Sequence, residues 1–164
     1  MATVPSLSRD FDQKDFPPPT VGALTRLAWQ AFRERTYAAV LGAGFNDLQP
    51  AHVLLFRYPT IADMRPKELA EQMGISKQAM NDLLRQVEAK GYVELRADPS
   101  DGRARLITLT DSGSELMEHV RAAAHEISEE WAQAVGRSRF DAFHKTLLRL
   151  VDAANGTQLR PTRI

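Results

Sequence analysis

The run LAEQMGISKQAMNDLLRQVEAKG, from Leu69 to Gly91, leaves few folds open to this chain. Two helical stretches are joined by only Gly74-Ile75-Ser76. A glycine suited to a left-handed turn ends the first, and a serine suited to an N-cap opens the second. Helix, glycine-containing turn, helix is the arrangement that presents its second helix to a DNA major groove. Advancing about 100° per residue from Lys77 groups Ala79, Met80, Leu83, Leu84 and Val87 on one side of that helix. Lys77, Gln78, Asn81, Arg85 and Glu88 fall on the other. Asn and Gln can bond adenine bidentately and Arg can do so with guanine, while Ser76 and Lys77 at the helix start suit a phosphate. Asp82 and Glu88 oppose this, because they repel phosphate unless paired. A polar face that only meets water would give the same wheel, so the neighbouring sequence must decide.

That neighbour is a hairpin. The strands YVELR and RARLITLT flank a turn in DPSDG, which brings Arg103 and Arg105 close to its tip. Arginine is favoured in a narrow minor groove by the enhanced negative potential there, and a protruding turn is what can carry it in. Arg96 and Arg105 rank below Arg103, as phosphate contacts or as partners of nearby acids.

The rest of the chain reads as helices. Residues 1–20, ending in Pro17-Pro18-Pro19-Thr20, lack periodicity and are expected to form a mobile arm. A helix follows over about Val21 to Leu41, then a short one, AHVLLFRY, opened by Pro50. Arg65-Pro66 opens the helix PKELAEQM. Thr110 or Asp111 starts a long helix that runs to Val135, and Ser138 with Asp141 suggests a capping box for a last helix to about Ala153. The expected division is an arm (1–20), a helical dimerisation region (21–63 and 111–154), a DNA-binding region (64–110) and a tail (155–164).

Several chemistries are closed. With no cysteine there is no disulfide, thiolate nucleophile or thiol redox sensor. No apolar run approaches the roughly 20 residues that span a bilayer, and the polar start does not resemble a signal peptide, so a cytoplasmic location without membrane contact is expected. His119, His125, Glu126 and Glu129 lack a third ligand at a recognisable spacing, so no metal is expected. No nucleophile elbow or phosphate-cradling glycine loop occurs, and neither a catalytic residue nor a cofactor is predicted. The 21 basic and 21 acidic residues cancel, and even residues 65–110 hold eight bases against seven acids. Any positive surface must come from placement.

LAEQMGISKQAMNDLLRQVEAKGYVEL and DPSDGRARLITLTDSG together resemble the MarR family of winged helix-turn-helix transcription regulators, over about Leu24 to Val151. The resemblance implies a mainly α fold with a small β-wing and flanking dimerisation helices. It also implies a homodimer in which the first, fifth and sixth helices intertwine. Arg103 is placed in the minor groove, with Asp101 as the acidic partner that orients it. The DNA-binding set is then Ser76, Lys77, Gln78, Asn81, Arg85, Asp101, Arg103 and Arg105. Many relatives carry Arg where this chain has Gly102, and a Ser or Thr cap where it has Gln49.

Leu116, Val120, Ala123 and Ile127, with Phe140, Phe143, Leu147 and Leu150 beyond, give more apolar helix than one small winged domain can cover, which points independently to a two-fold partner. Two reading heads roughly 34 Å apart would then select an inverted-repeat operator on double-stranded DNA. The resemblance further implies repression released by a small, often aromatic, effector, for which Trp29, Phe32, His52, Phe56 and Tyr58 are candidates; ordinary core packing is the competing reading of each. Near-neutral charge keeps a different class in view, an architectural or protein-interaction dimer with no effector.

Overall fold

A computed structural model describes residues 18–57 and 61–155. Along these residues run α1 (Val21–Gly42), α2 (Pro50–Leu55), α3 (Pro66–Met73), α4 (Lys77–Ala89), β1 (Val93–Asp98), β2 (Asp101–Leu109), α5 (Asp111–Val135) and α6 (Arg137–Asn155). The fold is mainly α with a two-stranded wing after a helix-turn-helix. None of these helices is long and apolar enough to cross a membrane. Most of the expected arm and tail lies outside the described residues.

The chain divides into two compact units on either side of Ala31 and Phe32, inside α1. In the smaller, Thr20 opens α1 by accepting the Ala23 N–H at 3.2 Å, and Val21, Leu24, Leu27 and Trp29 are exposed. The larger unit has a core that draws on Val40 of α1, Val53 and Leu55 of α2, Met80, Leu84 and Val87 of α4, Ile107 of β2, and Leu116 and Val120 of α5.

Two helix ends differ from expectation. The helix opened by Pro50 stops at Leu55 instead of running on, as the Phe56 N–H bonds back to the Val53 carbonyl at 3.2 Å and tightens the last turn. Ser138 does not cap α6, because the helix already begins at Arg137. Gly136, at φ 91°, breaks away from α5, and its carbonyl accepts the Phe140 N–H at 3.0 Å. A single glycine thus closes one helix and opens the next. No residue of α6 through Ala154 is buried.

The wing joins β1 to β2 antiparallel, with Val93 opposite Leu109 and Ala97 opposite Arg105. The next pair is Asp98 with Asp101, so Gly102, Arg103 and Ala104 have no partner across the ladder. They form a bulge on the returning strand, which twists and bends the tip. At the wing's base Thr110 caps α5. Its hydroxyl accepts the Gly113 N–H at 3.0 Å and donates to the Gly91 carbonyl at 2.6 Å, which binds the end of the hairpin to the turn that begins it.

Candidate nucleic-acid interface

The turn into α4 is built from local chemistry. Gly74 takes the left-handed conformation (φ 64°, ψ 29°). Its N–H reaches the Glu71 carbonyl at 3.2 Å, and the next N–H, of Ile75, reaches Ala70 at 3.1 Å, so the last carbonyls of α3 are satisfied. Ser76 then caps α4 by accepting the Ala79 N–H at 3.1 Å.

Met80, Leu84 and Val87 are fully buried and Leu83 is half-buried, whereas Ala79, expected with them, is exposed. Burying each of the three large side chains contributes about 1.5–3 kcal/mol, more than the roughly 0–1 kcal/mol of any surface ion pair on the other side. The core therefore sets the rotation of α4. Lys77, Gln78, Asn81 and Arg85 are left exposed together.

The acids that would repel phosphate are occupied. Asp82 pairs with Arg85 one turn later, and Glu88 accepts the Leu95 N–H of β1 at 3.1 Å. The near-neutral tally of residues 65–110 then takes on a pattern. Arg65 pairs with Asp98, Lys67 with Glu71, Arg96 with Glu94, and Lys90 with Asp47. Among the described residues, the bases of this segment outside these ion pairs are Lys77, Arg103 and Arg105. One starts α4, one lies in the wing bulge and one follows it.

At the wing tip the two aspartates have separate tasks. Asp98 is nearly buried; its Oδ1 accepts the Ser100 N–H at 2.8 Å and the Ser100 hydroxyl at 2.6 Å. Its Oδ2 accepts the Arg65 Nε–H at 2.9 Å. Asp101 Oδ1 accepts the main-chain N–H of Arg103 at 3.1 Å, so it orients the backbone that carries Arg103 and not the guanidinium. Arg105, opposite Ala97, donates through Nη1 to the Leu95 carbonyl at 3.3 Å. Gly102 has open space where a Cβ would stand.

The bonds from Ser100, joined by Arg65, hold the Asp98 carboxyl at about 2, below the ordinary value of 3.8. A carboxylate depressed in the folded state adds stability above its unfolded value and loses it as the pH falls toward the folded one. The window therefore runs from about pH 4 down to about pH 2. Unfolding measured across this window should show a shallower acid loss in Asp98→Asn than in the parent, and identical slopes would disprove the role.

The effector candidates separate. His52 is buried; its Nδ1 accepts the Gln49 N–H at 3.1 Å, which places the ring hydrogen on Nε2, 2.9 Å from Gln86 Oε1 of α4. It supplies the reciprocal half of a capping box at α2, satisfying the N–H of the cap residue from the helix side. Phe56 is buried with its ring edge-on to Tyr92, centroids 6.3 Å apart. Phe32 is half-buried, edge-on to Trp131 at 5.8 Å, with the Arg57 guanidinium 5.8 Å from its ring centre. Burial, with Arg33 nearby, pushes Arg57 down to about 10. Trp29 is half exposed, and Tyr58 lies outside the described residues. The sequence reading missed Arg65, Asp98 and Arg57. Only Arg65 carried a signal, as a long cation standing where a helix cap is usually short and polar.

A capped helix with an exposed polar face, followed by a bulged two-stranded wing, defines a winged helix-turn-helix. Residues 46–104 match the model of the MarR family. The transcriptional activatory protein BadR of Rhodopseudomonas palustris is 33% identical over 81 residues, 49% of this chain and 46% of that protein, so the match spans about half of the relative's length. Among solved structures, the transcriptional repressor CouR bound to a 23-mer DNA duplex aligns with TM-score 0.62 at 22% identity, covering 80% of this chain and 92% of that one. Apo MarR from E. coli aligns with TM-score 0.64 at 21% identity, covering 83% and 98%. These two likenesses establish the fold. The model match makes residues 46–104 similar to the MarR family over that segment.

Proposed function

We propose that the protein is a homodimeric repressor that binds an inverted-repeat operator and is released by a small aromatic effector. The observation that carries this reading is the placement of charge. Intramolecular ion pairs take up five of the eight bases of residues 65–110, and Lys77, Arg103 and Arg105 remain outside them at the helix start and the wing, the two places a winged helix-turn-helix offers to phosphate and minor groove. Ser76, Lys77, Gln78, Asn81 and Arg85 serve the major groove, and Asp101, Arg103 and Arg105 serve the wing. The same placement disfavours an architectural protein, which would need a broad basic surface.

Footprinting beside the chain's own gene at about 0.15 M salt tests this, since nonspecific contacts are already weakened there. Protection of a bounded two-fold site supports the proposal; coating without a boundary supports the architectural reading. A reporter behind that site gives the sign of regulation, repression being expected.

Dimerisation rests on α6, where Phe143, Leu147 and Leu150 remain exposed at 36–55% in the single chain. Phe143→Glu with Leu147→Glu should convert the protein to a folded monomer by analytical ultracentrifugation, and a persisting dimer would move the interface elsewhere. The effector proposal centres on Phe32, with Trp131 edge-on and the Arg57 cation over its ring, an arrangement that suits an aromatic ligand.

A further inference from the structure

The residue before Pro66 should be a short polar cap, yet it is Arg65, and its side chain makes no bond to its own helix. Glu68 takes over part of the capping by accepting the Arg65 N–H at 3.3 Å. The guanidinium reaches instead to the wing tip. Nε and Nη2 both bond Asp98 Oδ2, and Nη1 lies 4.0 Å from Asp101 Oδ2. Asp98 in turn holds Ser100, and Asp101 holds the Arg103 N–H. The stretch leading into Arg65 is fastened to the middle of β2, where the Asp63 N–H meets the Ile107 carbonyl at 2.8 Å and the Ile107 N–H meets the Met64 carbonyl at 2.9 Å.

We propose that Arg65 is a positioning residue for DNA recognition: it clasps the wing tip to the start of the helix-turn-helix, so that Arg103 and the polar face of α4 meet the duplex as one preformed unit. This rests on the minor-groove role given to Arg103 above. The bulge at Gly102, Arg103 and Ala104 has given up its ladder bonds, and a tip held only by a two-residue turn would have to be ordered at the moment of binding, at a cost in affinity. The clasp removes that cost beforehand. Arginine suits the task because its planar fork sets nitrogens toward two carboxylates at once, which an ammonium cannot do. Asp98 stays ionised far below neutral pH, so the clasp is permanent and not a switch.

A double-mutant cycle tests the proposal on a duplex selected by the wild-type protein from a random-sequence pool. Arg65→Ala should weaken binding about ten-fold in the wild type, but less than two-fold once Arg103 is already Ala, because coupled residues do not add. Arg65→Lys should recover only part of the loss. Since Arg65→Ala strands a nearly buried carboxylate, the double variant R65Q/D98N removes both charges and serves if the single variant fails to fold. Without DNA, amide exchange should quicken at Ser100 and Arg103 in these variants while Val120 in α5 keeps its protection. Equal losses in both Arg103 backgrounds, or unchanged exchange at Ser100 and Arg103, overturn the proposal. A wild type that selects no duplex overturns the regulator reading and the recognition role together, and the exchange result then still reports whether Arg65 holds the tip.

Discussion

Replacing Gly113 with alanine is expected to destabilise the protein by about 2–3 kcal/mol, even though alanine in a helix normally gains about 1 kcal/mol over glycine. A Cβ at this position would stand 1.9 Å from the Tyr92 carbonyl oxygen and 2.9 Å from its carbonyl carbon. The obstacle is backbone, so no rotamer change relieves it. That carbonyl also accepts the Thr110 N–H at 3.2 Å, and the Thr110 hydroxyl holds Gly91. Moving α5 away to admit the methyl group would thus open the hydrogen bonds that join the wing to the start of α5. At roughly 2–4 °C per kcal/mol for a chain of this length, the melting temperature should fall by about 5–10 °C. Gly22→Ala makes the contrast, because nothing lies within 4 Å of its added Cβ. It should be neutral or gain a few tenths of a kcal/mol. A Gly113→Ala protein that melts within about 1 °C of the parent would show that the helix start yields more easily than this packing implies.

What could be read ahead of the structure depended on how far the chemistry reaches along the chain. Gly74 and Ser76 act within a few residues, so their turn and cap were legible, as were α4 and the wing strands. Capping failed where two signals competed: Ser138 and Asp141 fit a box, but the carbonyl of Gly136 already provided the helix start, and sequence spacing does not rank a side-chain cap against a main-chain one. The wing bulge was hidden because the alternation in RARLITLT continues through it unchanged. Arg65 and Asp98 are 33 residues apart. Nothing local pairs them, although the oddness of arginine as a cap was visible. Charge was hardest to read. Eight bases against seven acids looked unpromising for DNA until the pairs were known, since the tally does not say which cations have carboxylates beside them. His52 shows the converse. It was a candidate effector contact with core packing as the competing reading, and the spacing gives no sign that its two nitrogens meet Gln49 and Gln86.

For the proposed dimer on its inverted repeat, Arg103→Ala should weaken binding by roughly 30- to 150-fold without altering the oligomeric state. Each wing contact is worth about 1–1.5 kcal/mol, and a two-fold complex loses both at once, about 2–3 kcal/mol in all. The arginine is exposed within a bulge and makes no side-chain contact that the fold depends on among the described residues, so its removal should leave the melting temperature within a degree or so. The loss should be similar at every duplex with a narrow minor groove at the wing positions. Arg85→Ala or Asn81→Ala should instead relax base preference at one operator position in each half-site, as expected of side chains that meet base edges in the major groove. Arg103→Lys separates charge from shape: it keeps the phosphate attraction and the salt dependence but is more strongly hydrated, so it should recover only part of the affinity. A minor-groove-binding drug gives an independent check, since it should displace the wild type from the operator more readily than Arg103→Ala, which has already lost the contested contact. If the two proteins are displaced equally, or if Arg103→Ala binds within two-fold of the wild type, the wing does not read the minor groove through this residue.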